Sequence, residues 1–124
     1  MDDFRLPEKA YTAQQVAEMD RVTVEEVGVD LTQLMEVAGL RSAEAATELF
    51  PAGSTIAVLF GPGGNGGDAL VAAKWLHLWG WKVILTPSHP PERYRDIVHH
   101  QRLIAAKLGI EGAQEPPENA GGIM

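Results

Sequence analysis

A chain of 124 residues with a formal net charge of -7 has room for one domain around one hydrophobic core, and its acidic balance argues against nucleic acid or an anionic membrane as partner. The apolar share of 45% against 22% charged is that of an ordinary globular protein, and the lack of cysteine excludes disulfides and thiol chemistry and suits a cytoplasmic location. No apolar run approaches the length of a membrane span, and Met1-Asp2-Asp3 is acidic where a secretory leader would be basic.

Residues 1–11 read as a polar N-terminal arm without periodicity. Thr12-Ala13-Gln14-Gln15 has the form of a capping box, and Val16, Met19, Val22 or Thr23, and Val27 follow on one face, predicting a helix that stops at Gly28. Asp30-Leu31-Thr32-Gln33 repeats the start signal. Leu31, Leu34, Met35, Ala38, Ala45, Ala46 and Leu49 then mark a second amphipathic helix, ended by Pro51-Ala52-Gly53. Gly39 interrupts it at a cost of about 1 kcal/mol against alanine, so close packing against another element is expected there.

Thr55 to Phe60 has the unbroken apolar character of a strand buried on both faces. It runs into Gly61-Pro62-Gly63-Gly64-Asn65-Gly66-Gly67-Asp68, after which Ala69 to Trp79 is predicted to be helical. Apolar residues cover most of that helix's circumference, which predicts cover from several sides, with Trp75, Trp79 and Trp81 in the core or an interface. Lys82 to Thr86 gives a second strand, and a right-handed crossover completes a βαβ unit with the glycine loop at the carboxyl end of its first strand. Pro87 to Pro91 breaks the chain. Tyr94, Ile97, Val98, Gln101, Ile104, Ala105 and Leu108 form a fourth helical stripe ending at Gly109. His99 and His100, being adjacent, point about 100° apart and make no i, i+4 metal pair; they read as surface residues, as do His77 and His89. Glu111 to Met124, with Pro116-Pro117 and Gly121-Gly122, reads as a flexible tail.

The glycine run carries the chemistry. Glycines without Cβ atoms let the backbone take φ > 0 and let a ligand approach the main chain, so their N–H groups can converge on phosphate oxygens. The first turn of the following helix adds unpaired donors and the positive end of its dipole. Remote carboxylates do not oppose this, since the Debye length at physiological salt is about 8 Å. Gly61, Gly63 and Gly66 satisfy the dinucleotide pattern G-x-G-x-x-G, but the second strand ends in Pro87-Ser88-His89-Pro90 and not in the acidic residue that holds a ribose diol. That demotes an ordinary NAD-dependent dehydrogenase. Asp68 has two readings, a helix-capping carboxylate or a group facing a sugar hydroxyl or a cation. Asn65 is likewise either a turn residue or, through its neutral carbonyl oxygen, a ligand for a hard cation.

Two leading helices, Leu34-Met35 before Glu36-Val37-Ala38-Gly39, then a strand, Gly-Pro-Gly-Gly-Asn-Gly-Gly-Asp and an apolar helix together resemble the YjeF N-terminal domain family, the NAD(P)HX epimerases. The resemblance runs from Thr12 to Gly109. It implies a Rossmann-like three-layer α/β/α sandwich, here incomplete: two leading helices, then a βαβα unit over residues 12–110. It implies interconversion of the R and S epimers of hydrated NADH and NADPH in nicotinamide nucleotide repair, with NAD(P)HX as substrate and a potassium ion as cofactor. Carried onto this sequence, the nucleotide-binding stretch falls on Gly64, Asn65, Gly66, Gly67 and Asp68, with potassium on Asn65. Gly64 stands where the family has a first asparagine, and Ala69 where a glycine usually follows the aspartate.

Two later segments of the family pattern, which carry further aspartates for cation and nucleotide, are absent, so the chain is expected to be the N-terminal half of the domain, a truncated form that keeps the phosphate loop and lacks most of the catalytic apparatus. No catalytic residue is assigned. Epimerisation needs a positioned acid or base, and Asp68 is the one weak candidate at the ligand edge, with Glu36 second if the second helix lines the cleft. The expected partners are a small nucleotide and a second copy or a complementing half. The alternative function is a non-catalytic module for nucleotide binding or dimerisation.

Overall fold

A computed structural model describes residues 12–118 and 120–123, so the arm expected at residues 1–11 lies outside the described residues. The chain forms two compact units that divide between Leu31 and Thr32.

In the first unit, helix α1 (Ala13–Val22) begins with the capping box read from the sequence. The Thr12 amide donates to Gln15 Oε1 at 2.9 Å, and the Gln15 amide donates to Thr12 Oγ1 at 3.0 Å. The helix widens into one π-turn over Thr23–Val27, where the Thr23 hydroxyl donates back to the Met19 carbonyl at 2.8 Å. Gly28, at φ +90°, then stops it and donates its N–H to the Thr23 carbonyl. Val16, Met19 and Val27, the expected apolar face, are exposed.

The second unit is a parallel α/β structure. After α2 (Leu31–Leu49) come β1 (Thr55–Phe60), α3 (Gly64–Leu78), β2 (Lys82–Pro87), a 3-10 turn at Pro91–Arg93, α4 (Asp96–Lys107), β3 (Glu111–Gly112) and β4 (Gly121–Ile123). The strands lie in the order β3-β2-β1-β4, and every pairing is parallel. Thr55 pairs with Lys82 and Phe60 with Pro87, so β1 and β2 end level and their carboxyl ends share one edge. Right-handed crossovers place α3 and α4 on the same side of the sheet, where they pack on each other.

This is the Rossmann-like α/β class expected from the sequence, and its center is β1. Ile56, Ala57 and Val58 are consecutively buried, as a strand covered on both faces requires. Ile56, Val58 and Phe60 meet Leu70 and Leu76 of α3, Val83 and Leu85 of β2, and Val98 and Ala105 of α4 in one core. The expected packing role of Gly39 is met: a Cβ there would overlap Val71 of α3. Among the described residues no helix is long and apolar enough to cross a membrane.

Within residues 111–124, expected to be a flexible tail, Glu111–Gly112 and Gly121–Ile123 are instead strands of the sheet. β3 adds to the free edge of β2, with the Ala113 amide donating to the Leu85 carbonyl at 2.8 Å. β4 adds to the other edge of β1. Gly121, which reads in sequence as a breaker, is required there because the Phe50 ring occupies the space a Cβ would take.

Candidate functional site

The second half of the glycine run, Gly64 to Asp68, is not a loop preceding a helix but the start of the helix itself. α3 begins at Gly64, not at Ala69, with Gly63 as its N-cap in an extended conformation. None of Gly61, Gly63, Gly64, Gly66 or Gly67 takes a positive φ, which corrects the expectation that these glycines serve left-handed turns. They serve close approach. A Cβ on Gly66 would collide with the carbonyl of Gly61, and one on Gly67 with the Met35 thioether. The first turn of α3 is thereby pressed against the end of β1 on one side and against α2 on the other.

Coiling also redistributes the donors. The amides of Gly66 and Gly67 donate to the Gly63 carbonyl at 2.9 and 3.2 Å, so they are engaged within the helix. The donors a helix start leaves for a ligand are those before the first intrahelical bond, here Gly64 and Asn65. The turn that presents them is held from the far side by the Arg95 amide, which donates to the Pro62 carbonyl at 3.0 Å.

Beside this turn lies a cleft of about 600 Å³. Asn65, Gly66 and Asp68 form one wall, Leu59, Phe60 and Gly61 at the end of β1 form the floor, and Ser42, Ala45, Ala46 and Leu49 of α2 form the opposite wall. Of the five expected nucleotide-binding residues the structure therefore brings Asn65, Gly66 and Asp68 to the cleft. Gly64 is exposed at the helix start, and Gly67 is buried against Met35. Asn65 and Asp68 are three residues apart on one helix, so they share a face and present two oxygen-bearing side chains to the same space. Asp68 is not an N-cap, since that position is Gly63.

Glu36 is not in this cleft. Its carboxylate accepts two bonds from Lys74 Nζ (2.6 and 2.7 Å) and one from the Trp75 indole N–H (2.6 Å), which ties α2 to α3. Its candidacy as an acid or base is corrected accordingly: all the bonds it makes here join two helices. Trp75 packs against the core and Trp79 is half-exposed, with ring centroids 5.9 Å apart.

Ser88 is the residue that the sequence reading passed over. Its amide donates to the Phe60 carbonyl at 3.0 Å, which continues the β1–β2 ladder by one residue and delivers the side chain to the cleft beside Gly61. Its hydroxyl lies 2.7 Å from His89 Nδ1. The signal that would have found it is position: it follows the second strand of a βαβ unit, at the edge where such sheets bind ligands. His99 and His100 are exposed on α4.

Residues 31–123 match the family profile described as YjeF-related protein N-terminus. The chain is 46% identical over 87 residues to the bifunctional NAD(P)H-hydrate repair enzyme Nnr of Hyperthermus butylicus, an overlap of 70% of this chain and 16% of that one. It is 33% identical over 103 residues to the NAD(P)H-hydrate epimerase of Entamoeba histolytica, covering 81% of this chain and 44% of that one. Among solved structures, that of yeast ynu0 superimposes with a TM-score of 0.76 at 29% identity, over 86% of this chain and 48% of the yeast chain. The chain thus spans less than half the length of each of these relatives.

Proposed function

Because the chain belongs to the YjeF-related protein N-terminus family, we propose that it is the nucleotide-gripping part of an NAD(P)H-hydrate epimerase, acting on the R and S epimers of hydrated NADH and NADPH. The observation that carries this reading is the cleft at the carboxyl end of β1, walled by the first turn of α3 with Asn65, Gly66 and Asp68. A diphosphate fits such a wall, because the amides of Gly64 and Asn65 and the helix dipole supply positive potential, and Gly64 and Gly66 add no side chain. The small residues opposite, Ser42, Ala45 and Ala46, leave room for the rest of a nucleotide.

A potassium ion suits the donors present, a neutral amide oxygen on Asn65 and a carboxylate on Asp68 facing one space. Bound there, the cation would supply charge neutralisation between the carboxylate and the diphosphate. Asn65 would hold it, and Gly66 would keep the helix start close enough to the strand for the amides to reach the ligand. The proton transfer of epimerisation falls to Asp68 among the residues lining this cleft, as its one carboxylate.

The reading is tested by incubating the chain with the S epimer of hydrated NADH and following the R epimer by chiral separation, with and without potassium. Acceleration over buffer that depends on potassium and is lost in Asn65→Ala is the expected result. Nucleotide binding without acceleration would remove the epimerase claim for this chain and leave a binding module. No binding at all would remove both.

A further inference from the structure

A second cleft, of about 1000 Å³, opens beyond the carboxyl end of β2, between that strand's exit and the α4–β3 corner. Its lining contrasts with the acidic chain as a whole: Arg102, His89 and His99 contribute to it, and no aspartate or glutamate does. Arg102 is the telling residue. Its Nη1 is shut off from solvent without a hydrogen-bond partner in the protein, and its other terminal nitrogen lies where a Cβ on Gly112 would come within 3.1 Å. The guanidinium also lines the cleft, so its fixed positive charge is open to an anion there. The two clefts adjoin, since Phe60 and Ser88 line both.

Sheet geometry says what such an anion is for. In a βαβ nucleotide site the diphosphate sits at the helix start, and the adenosine ribose lies over the end of the second strand. An acidic residue there takes the free ribose diol, whereas a nearby arginine accommodates a 2′-phosphate. β2 runs out through Thr86-Pro87-Ser88-His89 with no carboxylate, and the cation beyond it is Arg102. We propose that this second cleft is a phosphate-monoester site which, resting on the function proposed above, takes the 2′-phosphate of the nucleotide and makes hydrated NADPH the preferred substrate over hydrated NADH.

Calorimetric titration of the full chain with NADP⁺ and with NAD⁺ tests this. NADP⁺ is expected to bind about tenfold more tightly, the value of a charge-assisted hydrogen bond expressed as affinity. Arg102→Gln is expected to bring the two to parity by weakening NADP⁺ alone. Arg102 is packed beneath β3, so exposed His99 supplies a second variant, His99→Gln, expected to narrow the ratio about threefold without disturbing the fold. Equal affinities in the native chain, equal weakening of both nucleotides by Arg102→Gln, or an unchanged ratio in a folded His99→Gln would overturn the site and leave the proposed function standing. Binding of neither nucleotide would overturn both.

Discussion

The junction of β1 with α3 and the ends of the helices both rely on glycine, for opposite reasons. Gly80 and Gly109 sit at φ +92° and +80°, with nothing within 4 Å of the space a Cβ would fill. They are there for a backbone shape that other residues resist. Gly39, Gly66 and Gly67 lie within α2 and α3, where alanine would suit the backbone better, and a neighbor already occupies the space of the missing side chain. The difference teaches that the candidate site is built by packing and not by flexible turns. A helix start pressed onto a strand end is fixed before any ligand arrives.

Replacing the packing glycines sharpens that contrast, and Gly66→Ala is expected to have the largest effect. The added methyl meets the Gly61 carbonyl, a backbone group that yields only if α3 lifts from β1. A loss near the upper end of overpacking costs, about 3 kcal/mol, is expected in denaturant unfolding, together with loss of nucleotide binding in calorimetry. Native-like binding by this variant would break the contrast. Gly39→Ala ranks second. Its methyl meets Val71, stiff at χ1, and comes within 3.0 Å of the Ala72 amide nitrogen. The helix-propensity gain of about 1 kcal/mol offsets part of the strain, leaving a net loss of about 1–2 kcal/mol with nucleotide affinity unchanged. Gly109→Ala, which meets no atom, is expected to cost about 1 kcal/mol through its left-handed backbone alone. Gly109→Asn should cost less, because asparagine tolerates that conformation.

Much of this was legible in the sequence where a signal was local or periodic. The capping box at Thr12 to Gln15, the stop at Gly28, the doubly buried strand at Ile56 to Val58 and the apolar girth of α3 each follow from spacing or residue type. The start of α3 was not legible, because glycine's poor helix propensity points to a loop and tertiary packing at Gly66 and Gly67 overrides it. β3 and β4 are two and three residues long, too short to show a period, and exist by pairing with the edges of β2 and β1. Glu36 looked available for chemistry only because nothing in the sequence reveals that Lys74 and Trp75 face it across two helices. Ser88 and Arg102 carry no motif and become visible once β1 and β2 are known to end level.

The smallest effect is expected at Gly67, and it probes the rule most finely. Gly67→Ala also places a methyl on a neighbor, yet that neighbor is the far end of the Met35 side chain, whose unbranched thioether can adopt another rotamer. The displacement costs about 0.5–1.5 kcal/mol, and alanine returns about 1 kcal/mol in a helix interior. Stability should therefore stay within about 1 kcal/mol of the native chain, with nucleotide affinity retained. Met35→Ala alone empties buried volume and should cost about 2–3 kcal/mol. Combined with Gly67→Ala it should cost less than the two separate losses added together, because the new methyl enters the space the thioether leaves. Strict additivity in that double-mutant cycle would mean that Gly67 is required for something other than the room Met35 takes.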